Sequence, residues 1–176
     1  TLVACSVLAA LVVTLVLVLR PVGPPPVYTY SVVNTYPHDP TAYTQGLVYS
    51  DGELFESAGL YGQSSLRRVA LETGEMLQRY DLPSKYFAEG LALVDDRLIQ
   101  LTWQSQVGFV YDATTFELLD QFSYPTEGWG LAWDGRHLIM SDGSATLRYL
   151  DPDTFAVERS LVVTDGDTPI VKLNEL

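Results

Sequence analysis

Four side chains suited to proton transfer or polar binding stand at equivalent positions of a repeat. Gln45, Glu89, Trp129 and Asn174 each precede a short step of the type Gly-Leu, the last of which reads Glu-Leu. A carboxyl group can act as a base and then as an acid when its pKa is raised toward the working pH. Carboxamides can donate to a developing oxyanion, and an indole can desolvate a carboxyl group and raise its pKa. If the four positions meet in space, they predict a proton-transfer site.

The spacing of these positions predicts the scaffold that carries them. Successive positions are 44, 40 and 45 residues apart, a period typical of β-propeller blades. Each glycine of the step lets neighbouring backbones approach closely near the propeller axis. Asp-Gly and Asp-Asp turns separate the first two strands of each unit. The pattern therefore predicts an all-β protein in which the four positions share one axis.

Each predicted unit contains four strands. The expected inner strands cover 46–49, 90–93 and 130–133, and the second strands 54–57, 98–101 and 138–141. The third strands cover 65–69, 108–111 and 146–150, and the outer strands 75–81, 116–124 and 155–163. The alternating stretch 28–36 is also predicted to be a strand. A propeller ring needs about four blades or more to close, so three units and the start of a fourth predict a truncated propeller of about three and a half blades, with a ring completed by another chain as the alternative.

The N-terminal segment is predicted to be an export signal or membrane anchor. Residues 2–19 carry no charge and consist almost wholly of Leu, Val and Ala. This length lies at the lower limit for crossing a bilayer and exceeds a usual signal-peptide core. We therefore expect a transmembrane or signal helix over 1–20, a Pro-rich spacer over 21–27 and the propeller domain over 28–176. The domain would be extracytoplasmic and membrane-anchored, or secreted after cleavage.

The net charge and the few potential metal ligands limit the classes of function that the chain can have. The net charge of −12 argues against nucleic acid or an anionic membrane surface as a partner and suits a basic or neutral ligand. Cys5 is the single cysteine, so an internal disulfide is excluded. With only His38 and His137 besides that thiol, the sequence predicts no zinc site. A structural Ca²⁺ bound by oxygen ligands stays open.

Seven motifs, in order along the chain, resemble those of the plant and bacterial glutaminyl-peptide cyclotransferases. Their residues are 43–47, 56–67, 87–91, 101–104, 128–131, 141–144 and 173–176. The resemblance implies a five-bladed β-propeller enzyme that converts the N-terminal glutamine of a peptide to pyroglutamate and releases ammonia. It implies no required metal, in contrast to the zinc-dependent glutaminyl cyclases of unrelated α/β fold. A full-length member is expected to be a monomer.

The same resemblance suggests a role for each site residue. Glu89 corresponds to the catalytic acid, and the substrate pocket corresponds to Gln45, Trp103, Trp129, Asn174 and Tyr43. Other readings remain. Glu89 could be a solvated turn carboxylate, the tryptophans could be packing residues, and the amides could bond strand ends. At the level of function, the alternatives are a non-catalytic propeller that binds peptide ends and a Ca²⁺-dependent hydrolase on a similar fold.

Overall fold

The computed structural model describes residues 26–176, which contain strands and no helix. The predicted anchor over 1–20 and most of the spacer lie outside the described residues. Within the described part of the chain, no helix is long and apolar enough to cross a membrane. The predicted strand over 28–36 is wrong, because residues 26–43 contain no strand. Alternation makes a segment suitable for a sheet, but a strand also needs a neighbouring backbone to bond, and this segment has none among the described residues.

The predicted four-strand units are confirmed as three antiparallel sheets, each with its strands in chain order. Sheet 1 contains β1 Thr44–Ser50, β2 Glu53–Ala58, β3 Ser65–Ala70 and β4 Met76–Asp81. Sheet 2 contains β5 Ala88–Val94, β6 Arg97–Thr102, β7 Val107–Asp112 and β8 Leu118–Ser123. Sheet 3 contains β9 Leu131–Trp133, β10 Leu138–Met140, β11 Thr146–Leu150 and β12 Val157–Val162. A two-stranded hairpin follows, formed by β13 Thr164–Asp165 and β14 Thr168–Pro169.

Two apolar clusters join the three sheets face to face. Phe55 and Leu66 of sheet 1 pack against Leu91, Leu98 and other side chains of sheet 2. The second cluster joins the opposite face of sheet 2 to sheet 3 and includes Ala92, Ile99, Val110, Leu131 and Leu138. Sheet 2 is therefore covered on both faces, which explains why β5 and β6 are almost continuously buried rather than buried at every second residue.

The first strands of the sheets lie side by side, and glycines make this approach feasible. A Cβ atom added to Gly46 would stand 2.6 Å from the backbone nitrogen of Leu91. A Cβ atom on Gly90 would stand 2.5 Å from both Leu131 N and Trp129 O. The Gly90 N–H donates to Trp129 O at 2.7 Å, so these two backbones are in direct contact. The repeated glycine thus brings the residues that precede it into one region.

Candidate active site

A cavity of about 340 Å³ opens where the first strands meet, and it collects every predicted site residue. It is lined by Tyr43, Gln45, Leu60, Phe87, Glu89, Trp103, Trp129 and Asn174. Gln45 belongs to β1 and Glu89 to β5, whereas Trp103 directly follows β6 and Trp129 precedes β9. Residues up to 131 positions apart in sequence therefore border one space.

β-bulges direct the two polar side chains of the first strands into the cavity. In sheet 1 the pairing passes from Thr44 with Ala58 to Gly46 with Ser57, which leaves Gln45 unpaired. In sheet 2 it passes from Ala88 with Thr102 to Leu91 with Gln100, so Glu89 also lies within an irregularity. A bulge bends the strand locally and changes the direction of a side chain, which is why bulges occur beside functional sites.

Glu89 is the buried acid of this cavity. Its side chain lies among the lining residues and only 6% of the residue is exposed. Gln45 Nε2 donates to Glu89 Oε1 at 3.5 Å, a long hydrogen bond. Burial, with smaller contributions from the negative charges of Glu175 and Glu127, raises the pKa of Glu89 to about 8. A carboxyl group with this pKa exchanges its proton near neutral pH, as a general acid–base group must.

The two indoles of the cavity are tied to one carboxylate outside its lining. Trp103 Nε1 donates to Glu127 Oε2 at 2.7 Å, and Trp129 Nε1 donates to the same oxygen at 2.9 Å. Gln104 Nε2 donates to the other oxygen, Oε1, at 3.3 Å. These donors, that of Trp129 first, hold the pKa of Glu127 below its usual range. Glu127 is therefore ionised at neutral pH.

An aromatic wall completes the cavity on the side of sheet 1. The Phe87 ring makes edge-to-face contacts with Tyr43, Tyr61 and Trp103, with centroids 6.2, 5.4 and 5.6 Å apart. Tyr43 and Tyr61 are each about half exposed, at 55% and 50%. The wall thus runs from the cavity toward solvent.

The sequence reasoning missed four residues near the site. Phe87 and Leu60 line the cavity, Glu127 holds the indoles, and Glu175 acts on Glu89 through its charge. Two of them carried a usable signal. Phe87 and Glu127 stand two positions before Glu89 and Trp129, and in extended chain that spacing places side chains on the same side. Leu60 lies in the loop after β2 with a positive φ of 91°, which the residue type did not predict.

The described residues offer no grouped metal ligands. Among residues 26–176, no three His, Cys, Asp or Glu side chains are arranged to hold a metal ion. His38 instead contacts the buried Glu56, with its Nε2 at 2.9 Å from Glu56 Oε1, and Glu56 also accepts from Thr44 Oγ1 at 2.5 Å. This polar cluster lies in sheet 1 and joins the loop that begins at Pro37 to β1 and β2.

Most of the chain is similar to proteins of one known family. A family model described as glutamine cyclotransferase matches residues 5–176. A glutaminyl-peptide cyclotransferase from Arabidopsis thaliana is 45% identical over 149 residues, which is 82% of this chain and 46% of the relative. The crystal structure of Myxococcus xanthus glutaminyl cyclase superposes with a TM-score of 0.76 at 35% identity, covering 82% of this chain and 61% of that one.

More distant structures show the fold alone. The WD40 domain of Neurospora crassa Pan2 superposes with a TM-score of 0.58 at 15% identity, covering 68% of this chain and 36% of that domain. The three sheets are therefore propeller-like. The chain spans about half the length of the curated relative it matches. Because the family model matches nearly the whole chain, the chain belongs to the glutamine cyclotransferase family.

Proposed function

We propose that the protein is a glutaminyl-peptide cyclotransferase that acts, without a required metal, on peptides or proteins with an N-terminal glutamine. One observation carries the proposal: the buried carboxyl of Glu89 shares a cavity with two carboxamides and two indoles. The family membership supports the same activity. A substrate glutamine side chain fits a cavity of about 340 Å³ that is polar at Glu89 and aromatic at Trp103 and Trp129.

The reaction requires one proton to move from the substrate amine to its leaving group. The neutral α-amine attacks the side-chain Cδ of the glutamine, and a C–N bond forms as the carbonyl becomes an oxyanion. Ionised Glu89 accepts the proton that the amine loses and then donates it to the departing NH₂, which leaves as ammonia when the C–N bond breaks. The pKa of Glu89 is about 8, so near neutral pH this carboxyl group can both accept and donate a proton.

The other lining residues would hold the substrate in a reactive geometry. Gln45 and Asn174 present carboxamides that can orient the substrate amide and donate to its oxyanion. Trp103 and Trp129 would enclose the side chain and keep attacking nitrogen and carbonyl carbon close together. Tyr43, at the exposed end of the aromatic wall, would contact the following part of the peptide.

We further propose that the three sheets belong to a five-bladed propeller. The chain covers 61% of the Myxococcus cyclase chain, a share consistent with three sheets out of five. In that arrangement a monomer would suffice for activity. The uncharged run over 2–19 supports export, with residues 1–20 as membrane anchor or cleaved signal and 28–176 as an extracytoplasmic domain. Protease accessibility of the domain in intact cells tests this placement, and protection of the domain would contradict it.

The activity is tested with a Gln-initiated peptide and the product of the complete gene. Ammonia release and a peptide mass lower by one ammonia are expected, with kcat/KM rising with pH and levelling off above about pH 8. Glu89→Gln should lower kcat by about 100-fold or more, because it removes the proton carrier. The exposed Glu117→Gln serves as the control and should leave kcat unchanged.

Two outcomes would contradict the proposal. A loss of less than about tenfold in Glu89→Gln would remove Glu89 from proton transfer, since general acid–base groups contribute more than that. Tight binding of the peptide with no ammonia and no mass change would instead identify a non-catalytic binding module. A loss of activity on treatment with a chelator would favour a metal-dependent enzyme.

A further inference from the structure

Glu127 contacts two residues that line the cavity but is not itself part of the lining. It lies behind the two cavity indoles rather than in the cavity, and its Oε2 accepts from both indole N–H groups, at 2.7 and 2.9 Å. The two tryptophans come from different sheets, because Trp103 follows β6 and Trp129 precedes β9. One carboxylate oxygen therefore links two indoles that different sheets contribute to the cavity.

The rest of each indole makes nonpolar packing contacts. The Trp103 ring meets the edge of Phe87, with centroids 5.6 Å apart. The Trp129 ring lies against Gly143, where an added Cβ atom would stand 2.7 Å from Cζ2. Backbone bonding holds the loop in place, since the Gly128 N–H donates to Trp103 O at 2.9 Å. Glu127 adds the directional contact that selects one orientation of each ring.

We propose that Glu127 is a positioning residue that fixes the orientation of Trp103 and Trp129, and hence the shape of the space in which the substrate glutamine side chain must bind. This inference rests on the proposed function, since it assigns the indoles to a substrate pocket. Without the carboxylate, two indole N–H groups beside the cavity would lose their acceptor. They would then turn toward water or toward the substrate, and the pocket would become less well ordered.

Glu127 also places a negative charge near the acid of the site. Among the described residues, Glu175, Glu127 and the phenol of Tyr124 interact electrostatically with Glu89, and the phenol of Tyr43 borders the same cavity. Burial raises the pKa of Tyr124 to about 12, so this phenol is neutral at working pH. Removing the charge of Glu127 should therefore shift the titration of Glu89 to lower pH while Glu175 remains as the other neighbouring charge.

Two substitutions separate the effect of Glu127 on the orientation of the rings from the effect of its charge on Glu89. Glu127→Gln retains one carbonyl-type oxygen that can accept from both indoles, whereas Glu127→Ala removes the acceptor. We expect Glu127→Ala to raise KM for a Gln-initiated peptide by about tenfold and to increase acrylamide quenching of tryptophan fluorescence. Two of the three tryptophans in the chain contact Glu127, so the signal is dominated by the site.

We expect Glu127→Gln to keep KM within about threefold of the parent and to leave quenching unchanged. Its kcat/KM profile should rise at lower pH than that of the parent. Because both proteins act on the same substrate amine, this shift in the pH profile must come from an ionising group of the enzyme. Glu117→Gln is the matched control, and far-ultraviolet circular dichroism establishes that each variant is folded. The proposal is overturned if folded Glu127→Ala has the same quenching and the same KM as the parent. It is also overturned if KM and quenching rise as much in Glu127→Gln as in Glu127→Ala.

The fluorescence comparison keeps the two proposals distinguishable. If neither the parent nor any variant releases ammonia, the proposed function fails, but quenching in Glu127→Ala still tests the link between the carboxylate and the indoles. If the parent is active and Glu127→Ala matches it in KM and quenching, the positioning role fails alone. Should Glu127→Ala not fold, Glu127→Lys supplies the second test. It also removes the acceptor, and it must show higher quenching and a higher KM than the parent or the proposal is overturned.

Discussion

At the scale of single residues, Glu89 makes stability depend on pH in an unusual direction for a carboxyl group. In the folded chain its pKa is about 8, whereas in the unfolded chain it returns to about 4.3. Between these values the native state keeps a proton that the unfolded chain has lost. Stability from this group is therefore fully present below about pH 4 and is lost as pH rises through about 8.

This linkage predicts a pH-dependent difference between the parent chain and Glu89→Gln. The amide cannot ionise, so the variant lacks the loss of stability that the parent suffers as pH rises from about 5 to about 8. Urea unfolding midpoints of the two proteins should converge near pH 5 and separate at pH 8.5, where the variant becomes relatively more stable. A constant difference across this range would show that Glu89 is not protonated in the folded state. Glu117→Gln should give no such trend.

The site residues could be predicted to the extent that their position depends on the repeat. Gln45, Glu89, Trp129 and Asn174 precede the repeated step, and the cavity contains all four. Glu127 could not be predicted in the same way. Its role depends on where the loop between β8 and β9 turns and on the direction of two indole N–H groups, and neither property is encoded in a period.

At the scale of strands, the close approach of the first strands depends on glycine. Gly90 contacts the backbone of sheet 3 on one side of β5, where an added Cβ atom would meet Leu131 N and Trp129 O at 2.5 Å. Backbone atoms cannot turn aside as a flexible side chain can, so the strands themselves must separate. Because β5 carries Glu89 and the neighbouring segment carries Trp129, such a separation would also change the cavity.

We expect Gly90→Ala to lower the free energy of unfolding by about 3 kcal/mol, the cost of overpacking a site with no room. Gly52→Ala is the comparison, because Gly52 lies in a hairpin turn with a φ of 88° and nothing within 4 Å. That change should cost only about 1 kcal/mol through the left-handed backbone. Denaturant unfolding of both variants tests which change lowers the free energy of unfolding more. If Gly90→Ala were the milder change, the first strands would not be in the close contact described.

The predicted strands agree with the structure where a neighbouring strand is present. The second and third strands were located to within about one residue, because each is bounded by a turn and paired on both sides. The outer strands are shorter than predicted, at the N-terminal end for β4 and at both ends for β8 and β12. The stretch 28–36 alternates as well as any of them but forms no strand. Alternation thus shows that a segment suits a sheet, but it does not show that a neighbouring strand is present to pair with it.

At the scale of the whole molecule, the charge distribution favours some peptides over others. The chain has 22 acidic against 10 basic residues, and its net charge is −12. Glu127, which is ionised at neutral pH, lies beside the cavity and adds to this negative field. Such a field raises the local concentration of positively charged ligands and speeds their association. The effect on acidic peptides is the reverse.

We therefore expect a Gln-initiated peptide with lysines beyond its first residues to have a kcat/KM about tenfold higher than an acidic peptide of equal length at low salt. The ratio should fall toward one as salt is raised, because the Debye length shrinks to about 3 Å at 1 M. A neutral peptide should lie between them and change little. The values of kcat should agree among the three, since the charges act on encounter and not on the reacting atoms. A ratio that persists at high salt would indicate direct contacts between the peptide and the cavity rim instead of long-range attraction.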